Sequence, residues 1–207
     1  MKKDGKKFWD KYARFYDFEV LKFSRRAYKD MYSFMSKIFT KDMKVLEIAT
    51  GTGMISINVA EYVSSIEAID FSPKMIETAK KKAVPSNLRF SIEDATELSF
   101  ADETFDAVII SNALHIMAEP ELVLKNIRRV LKPNGILVAP SFSHGYIGEK
   151  AWKINAFILK VIGFETYSKW TPEEYVRFIE DNGFEVGKWT VLKAGFPLVY
   201  LEARKNG

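Results

Sequence analysis

The segment Val45-Leu46-Glu47-Ile48-Ala49-Thr50-Gly51-Thr52-Gly53 runs from an apolar stretch into a turn of small residues. Such a turn lets backbone approach a ligand closely, and a helix starting after it offers free N–H groups. The acidic Glu47 beside the turn suits a cationic aminoacyl tail better than a pyrophosphate. Asp70 closes a second apolar run, where a carboxylate can accept both hydroxyls of a ribose. Asp94 and Ala95 follow a third run, and an acidic acceptor there can take a hydrogen bond from an adenine amino group. A fourth run, 105–111, opens into the polar pair Ser111-Asn112 beside the glycine turn.

An adenosine-containing ligand satisfies this set. A dinucleotide fits less well. Its fingerprint needs G-x-G-x-x-G, and Ser56 stands where the third glycine would be. An NAD-dependent oxidoreductase would also leave Glu47 and Asp94 without a task. For proton transfer the chain has two histidines, His115 and His144, both placed past strand ends on the ligand side. Either could be a general base, with Tyr16 and Tyr146 as weaker candidates.

These groups need a scaffold that brings several strand ends together. Residues 43–49, 65–70, 87–92, 105–111 and 136–141 read as buried strands. Helix-like stretches lie between them at 54–63, 72–82 and 119–131. Ser72 is placed to cap the second of these, with Pro73 in its first turn. Pro133 and Asn134-Gly135 should stop the third. Alternation at this spacing means right-handed βαβ units on a parallel sheet.

The flanks differ. Residues 6–39 read as two helical segments, with Phe8, Trp9, Tyr12, Phe15 and Tyr16 on one face and Lys7, Lys11 and Arg14 mostly on the other. Residues 142–170 carry glycine, histidine and aromatics, with room for one helix. Thr171-Pro172-Glu173-Glu174 opens a helix that ends at Asn182-Gly183. Runs at 184–193 and 196–204, joined by Ala194-Gly195, predict an antiparallel hairpin at the sheet edge.

The expected fold is a Rossmann-like, doubly wound α/β sheet of seven strands, mostly parallel, with an antiparallel C-terminal hairpin edge and an N-terminal helical lid. At 207 residues and 47% hydrophobic content the length fits one domain over 1–207. Its parts are a lid over 1–40, a ligand-binding core over 43–141, an acceptor-side insertion over 142–170, and a closing helix and hairpin over 171–207. Net charge is +4, which permits anionic partners without demanding them. With no cysteine, disulfides, thiolate metal sites and cysteine nucleophiles are excluded, and no ligand spacing suggests a metal. No apolar run is long enough to span a bilayer and the basic N-terminus does not read as a signal peptide, so a cytoplasmic protein is expected.

The four elements, in this order, resemble the class I S-adenosylmethionine (SAM) dependent methyltransferases. Within them the match is to the group typified by the ubiquinone/menaquinone biosynthesis methyltransferases, over residues 43 to 140. The resemblance implies that the turn Ala49 to Gly53, Thr50 and Gly51 included, holds the methionine part of SAM. It implies that Asp70 holds the ribose, that Phe71 and Met75 flank the adenine, and that Asp94 and Ala95 meet its amino edge. Ser111 and Asn112 would complete the cofactor set. Tyr12 and Tyr16 match the aromatic N-terminal segment that closes over the cofactor. Ala49 departs from the pattern, since a glycine opens the family's turn and alanine resists positive φ.

The implied reaction is in-line displacement of the sulfonium methyl onto a small-molecule or lipid acceptor, leaving S-adenosylhomocysteine. The Ser111-Asn112-Ala113-Leu114 sequence argues against the base-amine type of nucleic-acid methyltransferase. Lys2, Lys3, Lys6, Lys7, Lys11 and Arg14 beside Phe8, Trp9 and Phe15 could dock peripherally on an anionic membrane; the alternative is a solvated face on a lid helix. A non-catalytic SAM-binding or membrane-associated regulatory protein is the remaining alternative.

Overall fold

A computed structural model describes residues 3–144, 167–194 and 197–206. Two helices come first, α1 (Lys3–Phe23) and α2 (Arg25–Ile38). Then β1 (Lys44–Ile48), α3 (Met54–Val59), β2 (Ser65–Asp70), α4 (Pro73–Lys80), β3 (Leu88–Ile92) and β4 (Phe105–Ile110) alternate as expected. A 3-10 turn, Leu114–Ile116, precedes α5 (Pro120–Val130), β5 (Leu131–Val138) and β6 (Ser141–Phe142). The chain closes with α6 (Pro172–Asp181), β7 (Phe184–Leu192) and β8 (Leu198–Lys205).

The sheet order is β3-β2-β1-β4-β5-β8, with β6 and β7 also paired to β8. The pairs from β3 through β5 are parallel, and every pair with β8 is antiparallel. Mostly parallel strands with an antiparallel C-terminal edge are therefore present. β1 lies between β2 and β4, so the crossovers leave it in opposite directions and the carboxyl ends part there.

Three details differ from the sequence expectation. The sheet has eight strands, not seven. Pro140 has no N–H and interrupts the ladder after Val138. Pairing then resumes as the two-residue β6, with Ser141 opposite Val199 and Phe142 opposite Leu198. The strand expected at 136–141 begins already at Leu131, directly after α5. Pro133 and Asn134-Gly135 do not end a helix there. They form a bulge inside the strand, where the register with β4 shifts and Asn134 takes φ 61°. The predicted helix over 54–63 is α-helical only to Val59 and finishes as a 3-10 turn at Ala60–Tyr62.

Period-two alternation sorts the strands between two apolar layers. Leu46, Ile48, Val108, Ile110 and Leu137 face one way, against Val123, Leu124, Ile127 and Val130 of α5 and Tyr175 and Ile179 of α6. Val45, Ala107, Ile109 and Val138 face the other way, against Met31 and Met35 of α2, Ile55 and Val59 of α3, and Ile76 of α4. The caps behave as the sequence demands. Ser72 Oγ accepts from Met75 N, and Thr171 with Glu174 forms a reciprocal capping box. Gly183, at φ 84°, turns the chain out of α6 into β7. Gly195 of the hairpin turn and Tyr146, with most of the 142–170 segment, lie outside the described residues.

Candidate functional site

A cleft of about 850 Å³, open solvent at its mouth included, lies over the carboxyl ends of β1, β2 and β4. The turn after β1 forms one wall. Ala49, Gly51 and Gly53 take φ of 55°, 57° and 75°, so left-handed residues alternate along it. This folds Thr50 and Thr52 inward and aligns the chain with the start of α3, where Gly53 is the N-cap. Ala49 therefore holds the left-handed conformation that its side chain resists, at a cost of about 1 kcal/mol. A Cβ on Gly53 would meet Phe90 Cζ at 2.6 Å, so this position has no room for a side chain.

Glu47 is 2% exposed. Its Oε2 accepts from Thr50 Oγ1 at 2.6 Å and from Ser56 N at 3.0 Å. The carboxylate is thus turned into the loop, and Glu47 is not among the described residues lining the cleft. Burial pushes its pKa up to about 7, against the pull of those hydrogen bonds. Asp70 does line the cleft. Its Oδ2 accepts from Gly51 N at 2.8 Å and its Oδ1 from Ser72 N at 2.8 Å. A carboxylate offers about four acceptor positions, so two remain for a ligand. Burial raises its pKa to about 6.

Phe71, Met75, Asp94 and Ala95 line the same cleft. Asp94 Oδ1 also holds Thr96, accepting from its N at 2.9 Å and its Oγ1 at 2.8 Å. On the β4 side are Ser111 and Asn112. Ser111 Oγ is buried without a hydrogen-bond partner among the described residues, a polar atom at the cleft wall that a ligand could satisfy. Asn112, at φ 53°, makes three hydrogen bonds to distant parts of the chain. Its N donates to Pro140 O, its Oδ1 accepts from Phe142 N, and its Nδ2 donates to Tyr28 OH at 3.4 Å.

Helix α1 covers the opening with Trp9 and Tyr16. Tyr16 and Tyr28 share a hydrogen bond, and burial raises both phenols above their ordinary pKa. Tyr12 is not among the described lining residues; it stacks on Phe8, with ring centroids 5.4 Å apart, and meets Trp9 and Tyr16 edge-on. Two clusters fasten α1 to the strand-end loops. Thr52 Oγ1 donates to Asp17, and Lys82 Nζ reaches Asp17 Oδ2 at 2.6 Å and Thr52 O at 2.7 Å. Ser72 Oγ donates to Asp10 at 2.5 Å.

His115 is buried below the cleft wall. Its Nδ1 lies 3.2 Å from Ser141 Oγ, and burial lowers its pKa to about 4. His144 is lowered too, mainly by burial and then by Lys169. Neither histidine is among the described lining residues, whereas Ile116, Met117 and Glu119 next to His115 are. Sequence reasoning missed Tyr28, Asp10, Asp17 and Lys82. Apart from the Tyr16–Tyr28 pair, their contacts span 30 to 84 positions of chain and no periodic pattern announces them. The cleft role of Trp9 was also missed, although it sits on the helix face already marked as aromatic.

The comparisons with known proteins agree with this geometry. A family described as a methyltransferase domain matches residues 46–139. The demethylmenaquinone methyltransferase of Renibacterium salmoninarum is 35% identical over 138 residues, covering 66% of this chain and 57% of that protein. The ubiquinone/menaquinone biosynthesis C-methyltransferase UbiE of Geotalea daltonii is 29% identical over 167 residues, covering 74% and 70%. The chain spans about half the length of the first of these relatives and less of two other demethylmenaquinone methyltransferases. Among solved structures, the methyltransferase complexed with the Trm112 activator of Haloferax volcanii superposes with a TM-score of 0.79 at 18% identity, covering 96% of this chain and 98% of that one. A SAM-dependent methyltransferase of Thermotoga maritima gives 0.75 at 21% identity, covering 96% and 99%. At such identities the likeness is one of fold.

Proposed function

We propose that this chain is a class I SAM-dependent methyltransferase and transfers a methyl group from SAM to a small-molecule or lipid acceptor, a reading supported by its likeness to a methyltransferase domain and to the quinone-biosynthesis methyltransferases. The observation that carries the reading is convergence. Asp70, Asp94 and the left-handed turn Ala49–Gly53 come from three strand ends and meet around one cleft. The residues fit the cofactor. Two acceptor positions on Asp70 suit a ribose diol, Phe71 and Met75 offer apolar faces for adenine, and Ser111 Oγ awaits a polar partner. SAM supplies a methyl group already activated on a sulfonium.

The protein's own part is positioning and exclusion of water. Asp70 anchors the ribose end. The turn sets where the amino-acid end lies. Glu47 acts through that turn, by holding Thr50 and Ser56, and not by direct contact. Trp9 and Tyr16 cover the opening. A base is needed only for an acceptor that arrives protonated. His115, with a pKa near 4, is a weak base, and the Tyr16 phenol, held above its ordinary pKa by burial, stays protonated, which leaves His144 the better candidate. In this reading residues 1–40 are the lid, 43–141 the SAM-binding core, 142–170 the acceptor side, and 171–207 the closing helix and hairpin of one domain. Peripheral contact with a membrane would bring a lipid acceptor to the lid.

Calorimetric titration with SAM, S-adenosylhomocysteine and NAD in parallel tests the proposal. Binding of the two adenosyl-sulfur ligands with NAD silent is expected. Binding of NAD, or of none, would overturn it.

A further inference from the structure

We infer that the outward face of α1 and the first turn of α2 form a docking surface for an anionic lipid bilayer. Phe15, Phe18 and Phe23 are 61%, 67% and 58% exposed. Isolated exposed apolar side chains need no explanation, but three large rings on one short stretch do. Lys11, Arg14, Phe15, Phe18 and Lys22 recur at i, i+3, i+4, i+7 and i+11, which is a single stripe of an α-helix. Lys22 Nζ lies 5.8 Å from the ring centre of Phe18 and 5.1 Å from that of Phe23, so cation and aromatic share one surface. Arg25, Arg26 and Lys29 continue the positive charge into α2 and are exposed.

Charge complementarity identifies the partner. Among the described side chains from Phe8 to Lys29, six cations are exposed and no carboxylate is. Asp10 and Asp17 face inward, held by Ser72, Thr52 and Lys82. Phenylalanines that can enter the acyl boundary, flanked by cations that can reach headgroup phosphates, suit an interface between water and anionic lipid. A nucleic acid would meet the cations but gain less from three rings on a convex helix.

The structure alters the residues assigned to this role from sequence. Phe8 and Trp9 are half-buried and Trp9 lines the cleft, so the apolar part of the surface is Phe15, Phe18 and Phe23. Lys2 and the side chains of Lys3, Lys6 and Lys7 lie outside the described atoms. Tyr16 and Trp9 look into the cleft from the opposite side of the helix that carries the stripe. Docking would therefore seat the cleft's cover against the bilayer, about one helix diameter from the lipid. The choice of a lipid surface draws on the proposed function, but the surface itself rests on its own residues.

The test is flotation of the full chain with vesicles of phosphatidylcholine alone or mixed with phosphatidylglycerol, at low and high salt, with SAM affinity measured in solution beside it. The expected result is flotation with the anionic vesicles that salt weakens. Phe15→Ser with Phe18→Ser should reduce partitioning on the order of a hundredfold. Each of Lys11→Ala and Arg14→Ala should reduce it about fivefold. Unchanged thermal unfolding of these variants keeps the comparison valid. Failure of the intact chain to float, flotation indifferent to the substitutions, or binding of a short RNA in place of vesicles would overturn the inference. Flotation as expected without any affinity for SAM would support the docking surface and count against the methyltransferase reading instead.

Discussion

The amide of Gly51 donates to Asp70 Oδ2 at 2.8 Å, so the turn after β1 is tied to the end of β2 before any ligand arrives. The same carboxylate is the proposed ribose anchor. Asp70→Ala should then loosen the turn and remove the anchor together, weakening SAM affinity by about a hundredfold or more. The effect has a pH signature. Burial holds the Asp70 pKa near 6, and ribose hydroxyls donate best to the charged form. SAM affinity should fall as pH drops through about 6, approaching tenfold per unit below it. Titration calorimetry across that range checks this, and a flat profile would remove Asp70 from the ribose role.

Glu47 carries a stability signature of the same sign. Its pKa is about 7 when folded and 4.5 when unperturbed, so the folded state holds the proton more tightly. Between those values the folded chain binds more protons than the unfolded one, and stability falls as pH rises. The loss amounts to about 3 kcal/mol once pH passes 7. Glu47→Gln keeps an acceptor for Ser56 N and Thr50 Oγ1 but cannot ionise. Urea unfolding of this variant should lose most of the slope across that window. A slope as steep as in the parent would show that Glu47 stays charged in the fold.

The left-handed turn allows opposite outcomes from exchanging the same two residue types. Ala49→Gly relieves a φ of 55° and should leave stability unchanged or raise it by up to about 0.5 kcal/mol, net of the entropy that glycine adds to the unfolded state. Gly53→Ala places a Cβ 2.6 Å from Phe90 Cζ at a φ of 75°. It should cost about 2–4 kcal/mol, overpacking and left-handed strain together, because the Phe90 ring is buried in the apolar core and has little room to give way. Thermal unfolding of both variants measures the contrast.

That turn also marks how far the sequence could be read. The strand ends were legible because apolar runs and turn chemistry are local signals, so Asp70, Asp94 and Asn112 could be placed on one side of the sheet from spacing alone. The alanine at position 49 was visible as an anomaly. What stayed hidden depends on pairing between distant segments. Leu131 joins the sheet because β4 offers it a partner at Phe105, against the helix-stopping look of its neighbours. β6 exists because β8 passes beside Ser141 and Phe142. Glu47 turns away from the cleft because Thr50 and Ser56 reach it first.

His115 should be spectroscopically silent where an ordinary imidazole titrates. Burial places its pKa near 4, so its ring is neutral through the range around pH 6.5 in which an ordinary imidazole changes charge. The Ser141 hydroxyl 3.2 Å from Nδ1 gives it a structural partner between β6 and the 3-10 turn. His115→Asn should therefore lower stability by about 1–2 kcal/mol while leaving the pH profile of turnover unchanged. A lost acidic limb in that profile would restore His115 as the base.

Asp17 is the last point of leverage, because it joins α1 to the turn it covers. Its two oxygens take Thr52 Oγ1 and Lys82 Nζ, and Lys82 also holds Thr52 O. The ion pair is about a third exposed on each side, so screening limits its own worth to roughly 1 kcal/mol. The consequence is local: a helix attached by few contacts opens more often when one is removed. Asp17→Ala should speed amide exchange in residues 8–22 about tenfold, with strands β1 and β4 unaffected. If α1 covers the cofactor, SAM should dissociate faster in the same variant while its association rate changes little. Faster exchange with an unaltered off-rate would mean that α1 packs on the site without gating it.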